Sequence, residues 1–157
     1  MRTLLLGGLI FLLVGCGFQL QGNYQLPAEL EQLRVSAPQF SEFADEARER
    51  FRLAGATLVN DSSATHVEIL NDSLSRRTLS LSASGQVAEY ELIYAVNYLL
   101  VPRQGESKAL QVEVYRDYQD DPNFALAKTR EREVLVAEMR EQAAQQLVRQ
   151  VIAQVSE

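Results

Sequence analysis

The feature that most constrains the fold is "VAEYELIYAVNYLLV", Val87 to Val101, in which Ala88, Tyr90, Leu92, Tyr94, Val96, Tyr98 and Leu100 occupy every second position. Successive side chains of a strand point to opposite faces, whereas a helix would scatter these residues around its circumference. The run therefore predicts one long strand with a buried face, and the fold must supply a layer to cover it. The alternate positions, Val87, Glu89, Glu91, Ile93, Ala95, Asn97, Leu99 and Val101, are too polar for a second core and too apolar for an ordinary solvent face. They form a candidate contact surface.

Val67 to Leu81 reads as a second long strand, whose polar middle, Asn71 to Arg77, points to a bulge that shifts its register. Ser84-Gly85 marks a hairpin between the two. Leu110 to Tyr118 follows the turn at Pro102 to Gly105, with Leu110, Val112 and Val114 inward, and Leu33-Arg34-Val35 is a short first strand. Phe40, Phe43, Ala44, Ala47, Phe51 and Ala54 recur at helical spacing opposite Glu42, Asp45, Glu46, Glu49 and Arg52. This amphipathic helix is entered at Pro38 and stopped at Gly55. Asp120-Asp121-Pro122-Asn123 ends the sheet and opens a last helix, with Asn123 as its cap and Val136, Met139, Ala143, Leu147, Val151 and Val155 as its apolar stripe. The expected class is α+β: a two-layer sandwich with two helices packed on one face of a mainly antiparallel sheet of about four strands.

The N-terminus has a different character. One positive charge at Arg2 precedes an almost wholly apolar run from Leu4 to Val14, about half of the roughly 20 residues a spanning helix needs. Leu13-Val14-Gly15-Cys16 resembles the bacterial lipobox, a signal in which the cysteine thiol receives a diacylglycerol and becomes the first mature residue. Cys16 is the sole cysteine, so no disulfide can form within the chain. Each buried acyl methylene contributes about 0.8 kcal/mol, so several chains on one residue hold a protein firmly to a bilayer. Gly17 follows, and the resemblance to sorted lipoproteins implies outer-membrane delivery. The expected organisation is a signal peptide over residues 1–15, a lipidated tether over 16–28 and a single α+β domain over 29–157. Without its leader the chain has 14 basic and 21 acidic residues, net −7, a balance that argues against a nucleic-acid partner.

Catalytic constellations are thin. His66 is the single histidine, near Ser62, Ser63 and Ser73, but no glycine-flanked elbow presents a strained nucleophile. One histidine and one lipidated cysteine do not make a typical transition-metal site, and no glycine-rich phosphate loop lies outside the leader. The expectation is no catalytic residue, no metal and no cofactor. Asp120-Asp121, which could be read as an acid–base dyad, suits helix capping better. Two basic groups remain, Arg76-Arg77 and Arg116 with Lys128, Arg130 and Arg132. Interleaved Glu131 and Glu133 favour a solvated surface for the second, and the alternative is an anion site, since arginine binds phosphate bidentately.

"CGFQLQG" at 16–22, "GQVAEYEL" at 85–92, "DPNFALAK" at 121–128 and the "EMREQAAQQLVRQ" helix at 138–150 together resemble the LptE family of LPS-assembly lipoproteins, in order and spacing, across nearly the whole mature chain. The resemblance implies a non-enzymatic outer-membrane lipoprotein that plugs the β-barrel protein LptD, assists that barrel's assembly and binds lipopolysaccharide during delivery to the cell surface. It also implies Lys128, in the matched "ALAK" stretch, as the leading lipopolysaccharide-binding candidate, with Arg116 and Arg130 as neighbours. Two departures stand out: Gln21, and Ser82-Ala83-Ser84 at the hairpin tip, replace residues that are often basic in the family. A periplasmic lipoprotein hydrolase using serine and His66, or a stand-alone structural lipoprotein, are the competing readings. Replacing Cys16 with Ala is expected to leave the folded domain intact and release it from the membrane unless a barrel retains it; fractionation of cells expressing the variant checks this.

Overall fold

The structure, a computed structural model, describes residues 26–83, 85 and 87–156. Cys16, the signal peptide and most of the expected tether lie outside those residues. The period-two run forms β4 (Val87–Val101), with Leu92, Tyr94, Val96, Tyr98 and Leu100 buried and the alternate residues half-buried. It pairs antiparallel with β3 (Thr65–Leu81) on one side and β5 (Lys108–Gln119) on the other. β1 (Gln32–Ser36) lies parallel to β3, and β2 (Thr57–Leu58) parallel to β1, giving the order β2-β1-β3-β4-β5. The sheet thus has five strands and is mixed, where about four and mainly antiparallel were expected. Two residues are too few to carry a readable period, and parallel pairing is set by a crossover rather than by local pattern.

The first bulge in β3 falls at Leu70, where the register passes from Ile69 opposite Tyr98 to Asn71 opposite Asn97; the register shifts again between Thr78 and Ser80 and between Ser80 and Leu81, near the hairpin. Before Leu70, Val67 and Ile69 face the core; after it, Leu74 and Arg76 take that face, opposite Tyr94 and Leu92.

Helix α1 (Glu42–Leu53) is capped by Ser41, whose hydroxyl accepts from the Ala44 N–H at 3.1 Å. Pro38 is therefore not its entry. Phe40, expected on the apolar face, precedes the cap at φ 63 and is 97% exposed, because the left-handed turn into Ser41 carries its ring away from the core. Gly55 ends the helix at φ 100 as expected. Helix α2 (Ala125–Ser156) follows a 3-10 turn over Pro122–Phe124. Asp121 caps that turn, accepting from the Asn123 N–H at 2.9 Å, and Asn123, expected as the cap, lies inside it: with proline at the turn's first position, the acceptor comes from the residue before it.

Both helices cover one face of the sheet. Phe43, Ala47 and Phe51 of α1 and Met139, Ala143, Leu147 and Val151 of α2 are fully buried. Arg50–Glu141 at 2.6 Å and Arg140–Glu42 at 2.7 Å tie the helices together, and the Tyr94 hydroxyl donates to Asp72 at 2.6 Å. The layers are unequal in length. At about 1.5 Å per residue α1 spans about 18 Å and α2 about 48 Å, while β4 at about 3.3 Å per residue spans about 50 Å. Only α2 follows the sheet towards the β3–β4 hairpin, the open end.

Truncating Leu147 to Ala removes a fully buried side chain where both helices meet the sheet, and should lower stability by about 2–5 kcal/mol. Leu126→Ala, at a position 70% exposed on the same helix, should change it by less than about 0.5 kcal/mol. Urea denaturation of the three proteins checks both.

Candidate functional site

Over the open end, the first turns of α2 present Ala125, Lys128, Thr129 and Arg132 to the sheet instead of large apolar groups. A cavity of about 620 Å³ is left between the layers. Its floor is Leu74 and Arg76 of β3, Tyr90 and Leu92 of β4, and Tyr118 of β5; Asp120 closes it where β5 ends.

Three cations converge there. The Arg76 guanidinium stands 4.6 Å from the centre of the Tyr90 ring, and the Lys128 ammonium 5.5 Å from that of Tyr118. Arg132 follows Lys128 by one helical turn and so shares its face. The Tyr118 hydroxyl donates to the Lys128 carbonyl at 2.9 Å, pinning this turn over the floor. Burial holds the Tyr118 hydroxyl above its ordinary pKa, so it remains a donor. Lys128 also donates to Glu131 at 2.9 Å, which raises the ammonium's pKa against a smaller opposing effect of burial, so its charge is permanent. Three cations and two aromatic faces around a solvent-open space, with Asp120 as the carboxylate in the wall, suit a phosphorylated or carboxylated ligand.

The structure does not gather all the sequence-predicted residues at this cavity. Lys128 lines it. Arg116 points from β5 to Gln142, to which it donates, and to the Tyr115 carbonyl at 2.8 Å; Gln142 lies about 21 Å along the helix from Lys128. Arg130, two residues from Lys128, is turned about 200° around the axis and is exposed. Arg76 and Arg132 join Lys128 in their place. Sequence alone had put Arg76 in a separate group with Arg77, since only the β3 register shows which of the two faces α2.

His66 lies on the opposite face of the sheet, its Nε2 2.7 Å from the hydroxyl of Ser36 rather than near Ser62, Ser63 or Ser73. Arg34 neighbours it across the β1–β3 pairing, and Glu68 follows on the same face. Ladder N–H groups lie in the plane of a sheet, perpendicular to its side chains, so this pair has no backbone donors aimed at an oxyanion.

Residues 30–151 match the family described as "LptE: Lipopolysaccharide-assembly". The chain belongs to the LptE family. It is 40% identical over 154 residues to the LPS-assembly lipoprotein LptE of Yersinia pestis (strain Pestoides F), covering 96% of this chain and 74% of that protein. Among solved structures it is similar to rare lipoprotein B from Shewanella oneidensis, with a TM-score of 0.74, 40% identity and coverage of 80% and 96% of the two chains. Lipoprotein B from Nitrosomonas europaea gives a TM-score of 0.72 at 30% identity, covering 89% and 93%. LptE membership makes this a lipoprotein of lipopolysaccharide assembly. No helix among the described residues is long and apolar enough to cross a membrane.

Burial first and Arg34 second lower the His66 pKa below its ordinary 6.5, against a smaller opposing effect of Glu68. The fold thus favours neutral imidazole: this stability is fully present above pH 6.5 and is lost as pH falls through the folded-state value. Melting from about pH 7.5 to about pH 5 should lower Tm further in the wild type than in His66→Gln, which keeps a polar partner for Ser36 without a titrating ring.

Proposed function

We propose that this LptE-family chain is a non-enzymatic outer-membrane lipoprotein, anchored through lipidated Cys16, that lodges as a plug in an LptD-type β-barrel, assists its assembly and binds lipopolysaccharide through the cavity beneath α2. The proposed organisation is a signal peptide over 1–15, a tether over 16–28 and one domain over 29–157. The observation that carries the ligand assignment is the meeting of Arg76, Lys128 and Arg132 over two tyrosine rings, in a chain whose overall charge is −6. A local cationic site can hold a phosphorylated glycolipid despite that net charge, because at physiological salt charges more than about 8 Å away are largely screened. The barrel assignment is supported by the outer sheet face, where Ile93, Ala95, Leu99 and Val101 alternate with Glu91 and Asn97, all half-buried. A surface set against a barrel lumen meets polar and apolar groups alike.

A second reading, hydrolase, has one observation in its favour, the Ser36–His66 contact. Full function after His66→Ala would remove it.

The mature protein, solubilised from membranes, should co-purify with a large outer-membrane barrel; repeated failure to do so removes the plug. Lys128→Asp should weaken lipopolysaccharide capture on immobilised protein about tenfold or more, whereas Arg34→Asp, on the other face, should change it less than about twofold. Equal losses would indicate diffuse charge instead of a cavity site.

A further inference from the structure

β5 ends the sheet on one side: among the described residues it pairs with β4 and with no other strand along its 12 residues. The polarity of its outer edge follows from one hydrogen bond. Just past the strand, the Asp120 N–H donates to the Ala88 carbonyl at 3.1 Å, which continues the β4–β5 register by one step. Backbone groups alternate in direction along a strand, so even-numbered residues of β5 turn theirs to β4, and Ala109, Gln111, Glu113, Tyr115, Asp117 and Gln119 turn theirs outward. The Tyr115 carbonyl agrees with this. It accepts from the Arg116 guanidinium at 2.8 Å, a side-chain substitute for the N–H that an adjacent strand would supply.

A long edge of this kind is a template for another strand, and β5 is its own complement. A two-fold axis normal to the sheet sets two copies antiparallel, with inner side chains opposite inner ones and outward backbone groups opposite each other. With the axis at Val114, the inner face brings Val114 to Val114, Leu110 to Tyr118 and Lys108 to Asp120. The outer face brings the Glu113 carboxylate to the Tyr115 hydroxyl and the Gln111 amide to the Asp117 carboxylate, donor against acceptor. Moving the axis one or two residues either way opposes like charges: Lys108 and Arg116 at Val112, two glutamates at Glu113, Glu113 and Asp117 at Tyr115, two arginines at Arg116.

The helix layer is complementary in the same sense. α2 runs antiparallel to β5, since Tyr118 reaches the Lys128 carbonyl at one end and Lys108 donates to Gln154 at 2.9 Å at the other. Gln142, which takes the Arg116 guanidinium, marks the flank of α2 on the β5 side, and exposed Glu138 and Arg149 lie within about 40° of it around the axis. The two-fold sets these flanks antiparallel, Glu138 of one copy towards Arg149 of the other. A seam from Ala109 to Gln119 is about 36 Å long, and sheet plus helix is about 20 Å deep, close to the roughly 800 Å² per partner of a specific interface.

We infer that two copies of this chain pair through the outer edge of β5, about Val114, into one continuous sheet. Such pairing calls on neither the barrel nor a ligand in the cavity.

The test is sedimentation equilibrium of the mature, lipidated chain in detergent, with micelles in large excess, from about 1 to about 100 µM. Wild type should be dimeric at the upper end and dissociate on dilution. Glu113→Pro, which removes an outward N–H and no bond to β4, should weaken the dimer about tenfold or more. Tyr115→Glu, which sets a carboxylate opposite Glu113 twice across the axis, should weaken it about tenfold, and Tyr115→Lys should leave it within about threefold. Thermal melting identifies any variant that fails to fold, and the two Tyr115 variants carry the test if the proline variant does. A wild type monomeric throughout overturns the inference; so does a folded Glu113→Pro that dimerises as wild type does, or equal behaviour of Tyr115→Glu and Tyr115→Lys.

Discussion

Three long strands need covering, and the helix layer has one long helix and one short one to do it. Near β1 and β2 the two helices together close the core, with Phe43, Phe51, Met139 and Leu147 fully buried between them and the sheet. Towards the hairpin, α2 alone runs above β3, β4 and β5, and a single helix is narrower than three strands. The cavity is a consequence of that mismatch. Had α1 begun several turns earlier, beyond its Glu42 end that lies beside Arg132 and Arg140, Leu74 and Tyr90 would lie in an ordinary core, and Arg76 would have no place on the inward face.

Apolar packing and ligand contact thus share one sheet surface, divided by position along the strands. β4 shows the division within a single run. Tyr94, Val96, Tyr98 and Leu100 are sealed, while Tyr90 at the other end is half-buried and stands under a guanidinium. Burying a polar group is costly unless it is hydrogen-bonded, so a cavity lined with charges persists only where neighbouring structure holds its walls apart. Tyr118 does this by binding the Lys128 carbonyl, and the salt bridges of Arg50 and Arg140 fix the helix pair further along.

Much of this was legible in the sequence where the signal is local. The alternation of β4, the stripe Phe43-Ala44-Ala47-Phe51 and the polar middle of β3 each depend on residues a few positions apart, and each produced the expected element. The parallel pair β1–β2 was not legible, since two residues make no pattern and the pairing is decided through α1. Neither was the cavity. Arg76 and Lys128 belong to stretches separated by two strands, and their meeting depends on strand register and on how α2 lies over the sheet. The family resemblance singled out Lys128 but grouped it with Arg116 and Arg130, its neighbours in sequence, because nothing in that stretch shows that Arg116 reaches instead for Gln142.

Arg76 and Arg77 are consecutive yet serve opposite sides of the sheet, one above Tyr90 and the other against Glu91. Which arginine goes where is decided at Leu70, the extra residue that inverts the odd–even parity of β3 from Asn71 to Thr78, until the register shifts again at Leu79. If the bulge were ironed out without removing a residue, the strand would slide out of phase by one position and the arginines would exchange roles, along with every side chain between. Leu70 does not line the cavity, yet it sets the phase of both faces of the sheet there, in the way a single inserted beat reverses which foot falls on the accent.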